Sequence, residues 1–209
     1  MAISQLIFEK FQFYLKDVES ILELGNQTFV SECIQRYPEE LKNFTNLTPV
    51  KLYCENLGIK HVSIDITGLD DSLNYDLNEK DIPLKDKFDL VTNFGTTEHV
   101  EPNQYEPFLH IHNLCKIDGI MLHEVPVVGH WKNHCRFYYD ESFFNNLSEI
   151  NDYKILEMNR IGYDNVGDLI FVALQKKYND FKISKKELES NIFISEDEIS
   201  IPQYWKKFA

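Results

Sequence analysis

Phe88-Asp-Leu-Val-Thr-Asn-Phe-Gly95, continued by Thr96-Thr-Glu-His-Val100, is an apolar run that ends in a polar turn. A run of this length closed by Gly, Asp or Asn reads as a buried parallel strand with a loop at its carboxyl end. Outward from it, Ser20-Ile-Leu-Glu-Leu-Gly-Asn26, Val62-Ser-Ile-Asp-Ile-Thr67 and Tyr75-Asp-Leu-Asn78 repeat the form. Such segments in succession predict an open α/β sheet, whose ligands bind in the crevice outside the carboxyl ends of the strands.

The intervening sequence supplies the crossovers. Ile7, Phe11, Tyr14, Leu15 and Val18 recur at helical spacing, so residues 1–18 are expected to form an amphipathic helix on one flank of the sheet. Phe29–Gln35 and Val50–Asn56 read as helical pieces, the second with Thr48 at the N-cap and Pro49 at the first helical position. Residues 78–87 form a charged connector. Tyr105, Phe108, Leu109, Ile111, His112 and Leu114 mark a helix, and Lys116-Ile-Asp-Gly119 turns into the apolar strand Ile120–Val125. Glu141–Leu147 reads as a short helix. Tyr153–Met158 and Leu169–Gln175 read as strands too close in sequence for a crossover helix, hence an antiparallel hairpin.

The 209 residues suit one α/β domain, here 1–179, followed by a charged tail over 180–209 whose role the composition does not assign. With 21 Lys+Arg against 34 Asp+Glu the net charge is −13, which disfavours a surface that tracks phosphates, so no nucleic-acid partner is expected. The 4 cysteines, Cys33, Cys54, Cys115 and Cys135, form no CxxC pair and are expected to be reduced thiols. No basic leader with an apolar core and no membrane-length apolar run is evident, so a cytoplasmic protein without a membrane partner is expected.

The strand tips carry specific chemistry. Glu23-Leu-Gly25 places a carboxylate and a glycine where the chain turns sharply beside a ligand. The GxGxxG fingerprint is absent because Asn26, Gln27 and Thr28 replace the later glycines, which argues against a pyrophosphate on the helix start. Asp65 ends the next strand, where a carboxylate accepts bonds from both hydroxyls of a ribose; its distance from Gly25 exceeds the usual ~20 residues, so residues 37–49 read as an insertion. Asp76 and Leu77 combine an acceptor for an exocyclic amine with an apolar surface for a purine ring.

In their order these residues resemble the class I S-adenosylmethionine-dependent methyltransferases over residues 20–175, most specifically in Phe88–Val100, whose Glu-His-Val is similar to the loop after the fourth strand of small-molecule members. Leu114–Leu122 is similar to that family's helix, turn and fifth strand. The resemblance implies a three-layer Rossmann-like fold, with a mostly parallel seven-stranded sheet ending in an antiparallel hairpin. S-adenosylmethionine is the cofactor it implies, and a small-molecule methyl acceptor is the partner. By resemblance Glu23, Gly25, Asn26 and Gln27 surround the methionine portion, Asp65 holds the ribose, and Asp76 with Leu77 frames adenine. Asn93, Phe94, Gly95, Glu98 and His99 then lie beside the transfer site.

Methyl transfer from a sulfonium is an in-line displacement that needs little beyond a near-attack geometry. A hydroxyl acceptor must also lose a proton, work suited to histidine. His99, His123, His130 and His134 follow the relevant strands; His130 is the base or acceptor-orienting candidate, and His99 the cofactor-side one. A metal reading of His123–Cys135 rests on His130 and His134 at i and i+4, but no helix is evident around Gly129, so no metal is expected. The expected activity is methylation of oxygen or nitrogen on a small molecule such as a sugar or other metabolite. The alternatives are a methyltransferase-like binding or regulatory module impaired through Asn26-Gln27-Thr28, and a metal-dependent hydrolase. The sequence specifies no oligomeric state.

Overall fold

The computed structural model describes residues 2–163 and 167–195. Chain order is β1 (Ala2–Ile3), α1 (Gln5–Tyr14), β2 (Ser20–Leu24), β3 (Thr28–Phe29), α2 (Ser31–Arg36), α3 (Val50–Asn56), β4 (Lys60–Ile64), β5 (Phe88–Phe94), α4 (Tyr105–Leu114), β6 (Cys115–Pro126), β7 (Phe137–Tyr138), α5 (Glu141–Asn151), β8 (Lys154–Tyr163), β9 (Gly167–Gln175), α6 (Lys185–Ser190) and β10 (Phe193–Ile194).

The main sheet has 6 strands in the order β4-β2-β5-β6-β9-β8. β4, β2, β5 and β6 run parallel, while β9 is antiparallel to both β6 and β8. The sheet is therefore mixed and has one strand fewer than the seven expected. The missing strand is Tyr75–Asn78. Only Leu73 makes a parallel bridge, to Ile64, through Leu73 N–H to Ser63 O at 2.8 Å and Asp65 N–H to Leu73 O at 3.0 Å. Beyond it, Asp76 Oδ1 accepts from the Asn78 backbone N–H at 2.9 Å, a local Asx turn that competes with ladder formation.

Alternation along the strands feeds two cores. Ile21, Leu90, Leu122, Phe171 and Ala173 pack with Ile7, Phe8 and Phe11 of α1, Phe29, and Tyr53 of α3. Leu22, Leu24, Val91, Met121, Val172 and Leu174 pack on the opposite face with Phe108 and Ile111 of α4 and Phe143, Phe144 and Leu147 of α5. Each large apolar side chain buried this way contributes about 1.5–3 kcal/mol. Helices on both faces of the sheet give the three-layer architecture.

Local caps fix the helix ends. Ser4 Oγ accepts from Ile7 N–H of α1, and Asp140 Oδ1 accepts from Phe143 N–H of α5 at 2.9 Å. Pro49, rather than Thr48, occupies the cap of α3; Thr48 instead accepts from Thr45 N–H at 2.9 Å. Lys176, fully buried, donates to His112 O at 2.7 Å and Cys115 O at 2.9 Å, closing the carboxyl end of α4. Ile183 and Leu188 are buried in the core beside α4 and α5, and β10 pairs antiparallel with β7, so residues 180–195 are docked on the domain. Residues 196–209, with Ile201–Phe208, lie outside the described residues, as does Met1. The cysteines are buried and unpaired, and among the described residues no helix is long and apolar enough to cross a membrane.

Candidate functional site

The carboxyl ends of β4, β2, β5 and β6 lie side by side, and the tip residues are joined by direct hydrogen bonds. After β2 the chain turns at Gly25, whose φ of +78° lies in the left-handed region. Asp65, just past β4, reaches this turn: Oδ2 accepts from Asn26 N–H at 2.9 Å, and Oδ1 accepts from Thr67 N–H at 2.8 Å. Asn26 Nδ2 donates to Asp70 Oδ2 at 2.6 Å. The structure thus brings the expected ribose carboxylate against the expected methionine loop.

Beneath the turn lies a buried polar cluster on the α1 face of the sheet. Glu23 accepts from Gln27 N–H at 3.2 Å, and burial pushes its carboxyl up to about 8. His61 Nε2 lies 3.7 Å from Glu23 Oε2, too far for a hydrogen bond, and burial holds the imidazole down at about 4. Both groups are therefore neutral near pH 7. Neither ring nitrogen of His61 has a hydrogen-bond partner; nor do Ser63 Oγ, Gln27 Oε1 or Asn26 Oδ1.

Two bonds latch the β2 tip to the β5 tip. Gln27 Nε2 donates to Phe94 O at 3.0 Å, and Thr96 Oγ1 donates to Leu24 O at 2.7 Å. A Cβ at Gly25 would lie 2.7 Å from Thr96 Oγ1, so this loop leaves room for glycine alone.

After β5, Gly95 N–H donates to Glu124 O of β6 at 2.8 Å. Asn93 faces the α4 side: Oδ1 accepts from Thr97 N–H at 3.0 Å, and Nδ2 lies 2.9 Å from Thr97 Oγ1 and 3.2 Å from His123 Nδ1. His123 in turn stacks on Phe108 with ring centroids 5.6 Å apart. Tyr139 donates to Gln104 Oε1, and Gln104 Nε2 donates to Thr97 O at 2.7 Å. Asn93 and His123 thus brace the loop from below.

Glu98 and Glu124 are buried carboxyls at the crevice mouth. Burial first, then the charge of Glu124, pushes Glu98 up to about 8, and burial raises Glu124 to about 7. Tyr163 of β8 donates to Glu124 Oε1 at 2.7 Å, and its oxygen lies 2.8 Å from Ser4 Oγ, tying the start of α1 to this edge. Glu98 Oε2 has no hydrogen-bond partner. His99 Nε2 lies 3.8 Å from Glu98 Oε1, and the His99 ring contacts that of His134 with centroids 4.9 Å apart. The His99 imidazole, with 33% of its side chain exposed, opens to solvent.

His130 stands apart from this group. Its Nδ1 accepts from Asp168 N–H at 2.9 Å, which places the proton of the neutral ring on Nε2. Asp76 and Leu77 sit in the irregular segment beside β4 instead of at a strand tip; Leu77 is buried with Leu22, Leu24 and Ile64. Sequence reasoning found Asp65, Glu98 and His99 but not Thr96, Glu124, Tyr163 or His61 as members of the same crevice. Glu124 and His61 sit inside strands rather than at their polar tips, which hid them as ordinary strand residues.

The residues fit S-adenosylmethionine in part. The carbonyl oxygens of Asn26 and Gln27, orphaned beside Gly25, are acceptors for an ammonium group, and Asp65 is an acceptor for a diol. The latch from Gln27 and Thr96 narrows the space between those two tips.

No family model matches the chain, and no curated protein matches it. Among solved structures it is similar to the 1,6-didemethyltoxoflavin-N1-methyltransferase of Burkholderia thailandensis, bound to 1,6-didemethyltoxoflavin and S-adenosylhomocysteine. That match has 13% identity and a TM-score of 0.54, and covers 83% of this chain and 76% of that one. It is also similar to the N-methyltransferase NodS of Bradyrhizobium japonicum WM9 in complex with S-adenosyl-L-homocysteine, at 12% identity and a TM-score of 0.46 over 82% and 85% of the two chains. At 13% identity the first likeness establishes the fold: the chain has the α/β fold of class I methyltransferases.

Proposed function

We propose that this chain is an S-adenosylmethionine-dependent methyltransferase that methylates oxygen or nitrogen of a small molecule. The observation that carries this reading is Asp65 bonded across two strand tips to Asn26 N–H, a diol-binding carboxylate held beside a turn that offers unpaired carbonyl oxygens. In this reading Asp65 holds the ribose hydroxyls, Asp76 and Leu77 frame adenine, and Glu23, Gly25, Asn26 and Gln27 surround the methionine end. Asn93, Phe94, Gly95, Glu98 and His99 complete the cofactor contacts beside the transfer site. The bound cofactor supplies an electrophilic methyl group.

The chain's own work is to align the acceptor and keep water out, which suits the rigid Asn93–Thr97–His123 brace. His99, one-third exposed at the mouth but held down by desolvation of the rest of its ring and then by the neighbouring His134, has a lone pair for the proton of a hydroxyl acceptor. His130 presents Nε2–H to orient an acceptor, because Nδ1 already accepts from Asp168. The acidic surface favours a small molecule over nucleic acid, and the unpaired buried cysteines favour a cytoplasmic location.

A second reading, a module that has lost productive cofactor binding, draws on the Gln27 and Thr96 latch. Isothermal titration with S-adenosylmethionine and S-adenosylhomocysteine separates the two. Saturable 1:1 binding is expected; no detectable binding of either removes the enzyme and leaves the module.

A further inference from the structure

At the mouth of the crevice Glu98, His99 and His134 bring one carboxylate oxygen and two imidazole nitrogens together, all within 4.8 Å of one another. We infer that these residues form a site for one divalent transition ion of the zinc class, with the remaining coordination positions open to the crevice.

Geometry supports it first. Ligand distances of about 2.0–2.2 Å in a tetrahedral zinc site put donor atoms about 3.3 Å apart. Glu98 Oε1 and His99 Nε2 are already 3.8 Å apart and all three donors lie within 4.8 Å of one another, so closure brings pairs together by about 0.5–1.5 Å, within reach of side-chain rotations. Chemistry supports it next. A His-His-carboxylate set with open positions suits zinc, iron(II) or manganese, and selects against magnesium and calcium, which prefer all-oxygen ligands.

The independent observation is Glu98 itself. Its side chain is 2% exposed, yet Oε2 has no hydrogen-bond partner. A buried carboxylate oxygen without a partner is costly, and a cation gripped by both oxygens of Glu98 would satisfy it. Cys135 follows His134 but donates to Phe137 O at 3.2 Å, which turns its sulfur to its own backbone.

The arrangement differs from the His130 and His134 pairing that sequence spacing suggested. His130 is engaged by Asp168, whereas His134 folds back onto His99 through a ring contact at 4.9 Å. A role for the ion in orienting an oxygen-bearing acceptor rests on the methyl-transfer reading above, and an ion on His99 takes up the lone pair that the metal-free reading gives to an acceptor proton; the ion site itself does not rest on that reading.

The test uses the full chain, stripped with a chelator and titrated separately with Zn²⁺ and Mn²⁺ by calorimetry. Co²⁺ is added in parallel and its visible spectrum recorded. One equivalent of metal is expected, with cobalt d–d bands and no thiolate charge-transfer band. His134→Ala and His99→Ala, each checked for folding by circular dichroism, are expected to weaken binding by more than the roughly 10–100-fold lost when a hydrogen-bond partner of a ligand is removed. If His134→Ala fails to fold, His99→Ala decides. Absence of saturable binding, binding unchanged in both variants, or a thiolate band pointing to Cys135 overturns the inference. S-adenosylhomocysteine binding measured without metal separates the failures: a chain that binds it and no metal keeps the proposed function and loses this site.

Discussion

In the proposed function Asp65 holds the ribose of the cofactor, and Asp65→Ala is the sharpest perturbation of that role. The carboxylate accepts Asn26 N–H at 2.9 Å, Thr67 N–H at 2.8 Å and Thr67 Oγ1–H at 2.5 Å, so it is oriented before any ligand arrives. Hydrogen bonds to a charged group contribute about 1.5–3 kcal/mol each when well shielded, and Asp65 is half-buried, so the net loss of ribose binding is set at about 1–3 kcal/mol. That corresponds to an S-adenosylhomocysteine Kd raised about 5- to 150-fold. Asp65→Ala also loosens both turns, so stability is followed independently by urea denaturation. Two companions divide the effects. Asp65→Asn keeps one acceptor oxygen but turns an amide donor towards either Asn26 N–H or Thr67, and is expected to fall between wild type and Asp65→Ala. Thr67→Val removes only the hydroxyl that steadies Oδ1 and is expected to change Kd least. Calorimetric titration of each folded variant gives the ranking, and an unchanged Kd in Asp65→Ala would refute the assignment of this carboxylate to the cofactor.

Three further outcomes follow from the same geometry. Gly25→Ala forces a side chain into φ +78° and within 2.7 Å of Thr96 Oγ1; it is expected to cost at least about 1–2 kcal/mol, read as a fall in Tm of several degrees, and an unaltered Tm would contradict the strained turn. Glu23 keeps its proton in the folded chain up to about pH 8 while the unfolded chain loses it near pH 4.5, so its share of stability declines as pH rises through that window. The slope from His61, neutral in the fold and titrating near pH 6.5 in the unfolded chain, is common to both proteins, so the urea midpoint of Glu23→Gln should fall less than that of wild type between pH 6.5 and 8.5; parallel declines would show that Glu23 is not held protonated. Lys176→Met leaves the carbonyls of His112 and Cys115 without their donor inside the protein, and a loss of about 1–3 kcal/mol is expected in denaturant unfolding, with an unchanged midpoint counting against that capping role.

The parts of the fold that were legible are those whose signal is local. β2 and β5 are rich in apolar residues, β6 carries the apolar run Ile120–Leu122, and α4 has its apolar residues at helical spacing, although β6 already begins at Cys115 so that the expected turn Lys116–Gly119 lies within it. Tyr75–Asn78 misled because Leu77 between Asp76 and Asn78 looks like a strand tip, yet a lone apolar residue cannot outweigh the side-chain turn that Asp76 makes with Asn78. Phe29 was assigned to a helix and instead pairs with Ile3, a contact between distant positions that no local window contains. The same division governs the site. Asp65 follows β4 and Glu98 with His99 follow β5, so their positions are readable from the strands before them, whereas Tyr163 of β8 reaches Glu124 of β6 and His134 reaches His99 only once distant segments converge.

The latch between the β2 and β5 tips is the feature with the largest bearing on function, and its magnitude decides what it does. Gln27 to Phe94 and Thr96 to Leu24 are two hydrogen bonds between neutral groups, each with a net value of about 0.5–1.5 kcal/mol. Breaking both would cost about 1–3 kcal/mol, a 5- to 150-fold loss of affinity, which weakens a ligand without excluding it. Against that cost stand the unpaired oxygens of Asn26 and Gln27, which gain partners if an ammonium group enters beside Gly25. A buried polar atom that finds a partner recovers about 1–3 kcal/mol, so the two oxygens together recover about 2–6 kcal/mol, at least the cost of opening. In the proposed function the first loop is therefore expected to open to the cofactor at no net cost, with Asp65 and the purine contacts adding affinity. On that reading Asn26-Gln27-Thr28, standing in place of the glycine fingerprint, trades close backbone approach for side-chain acceptors in the first loop.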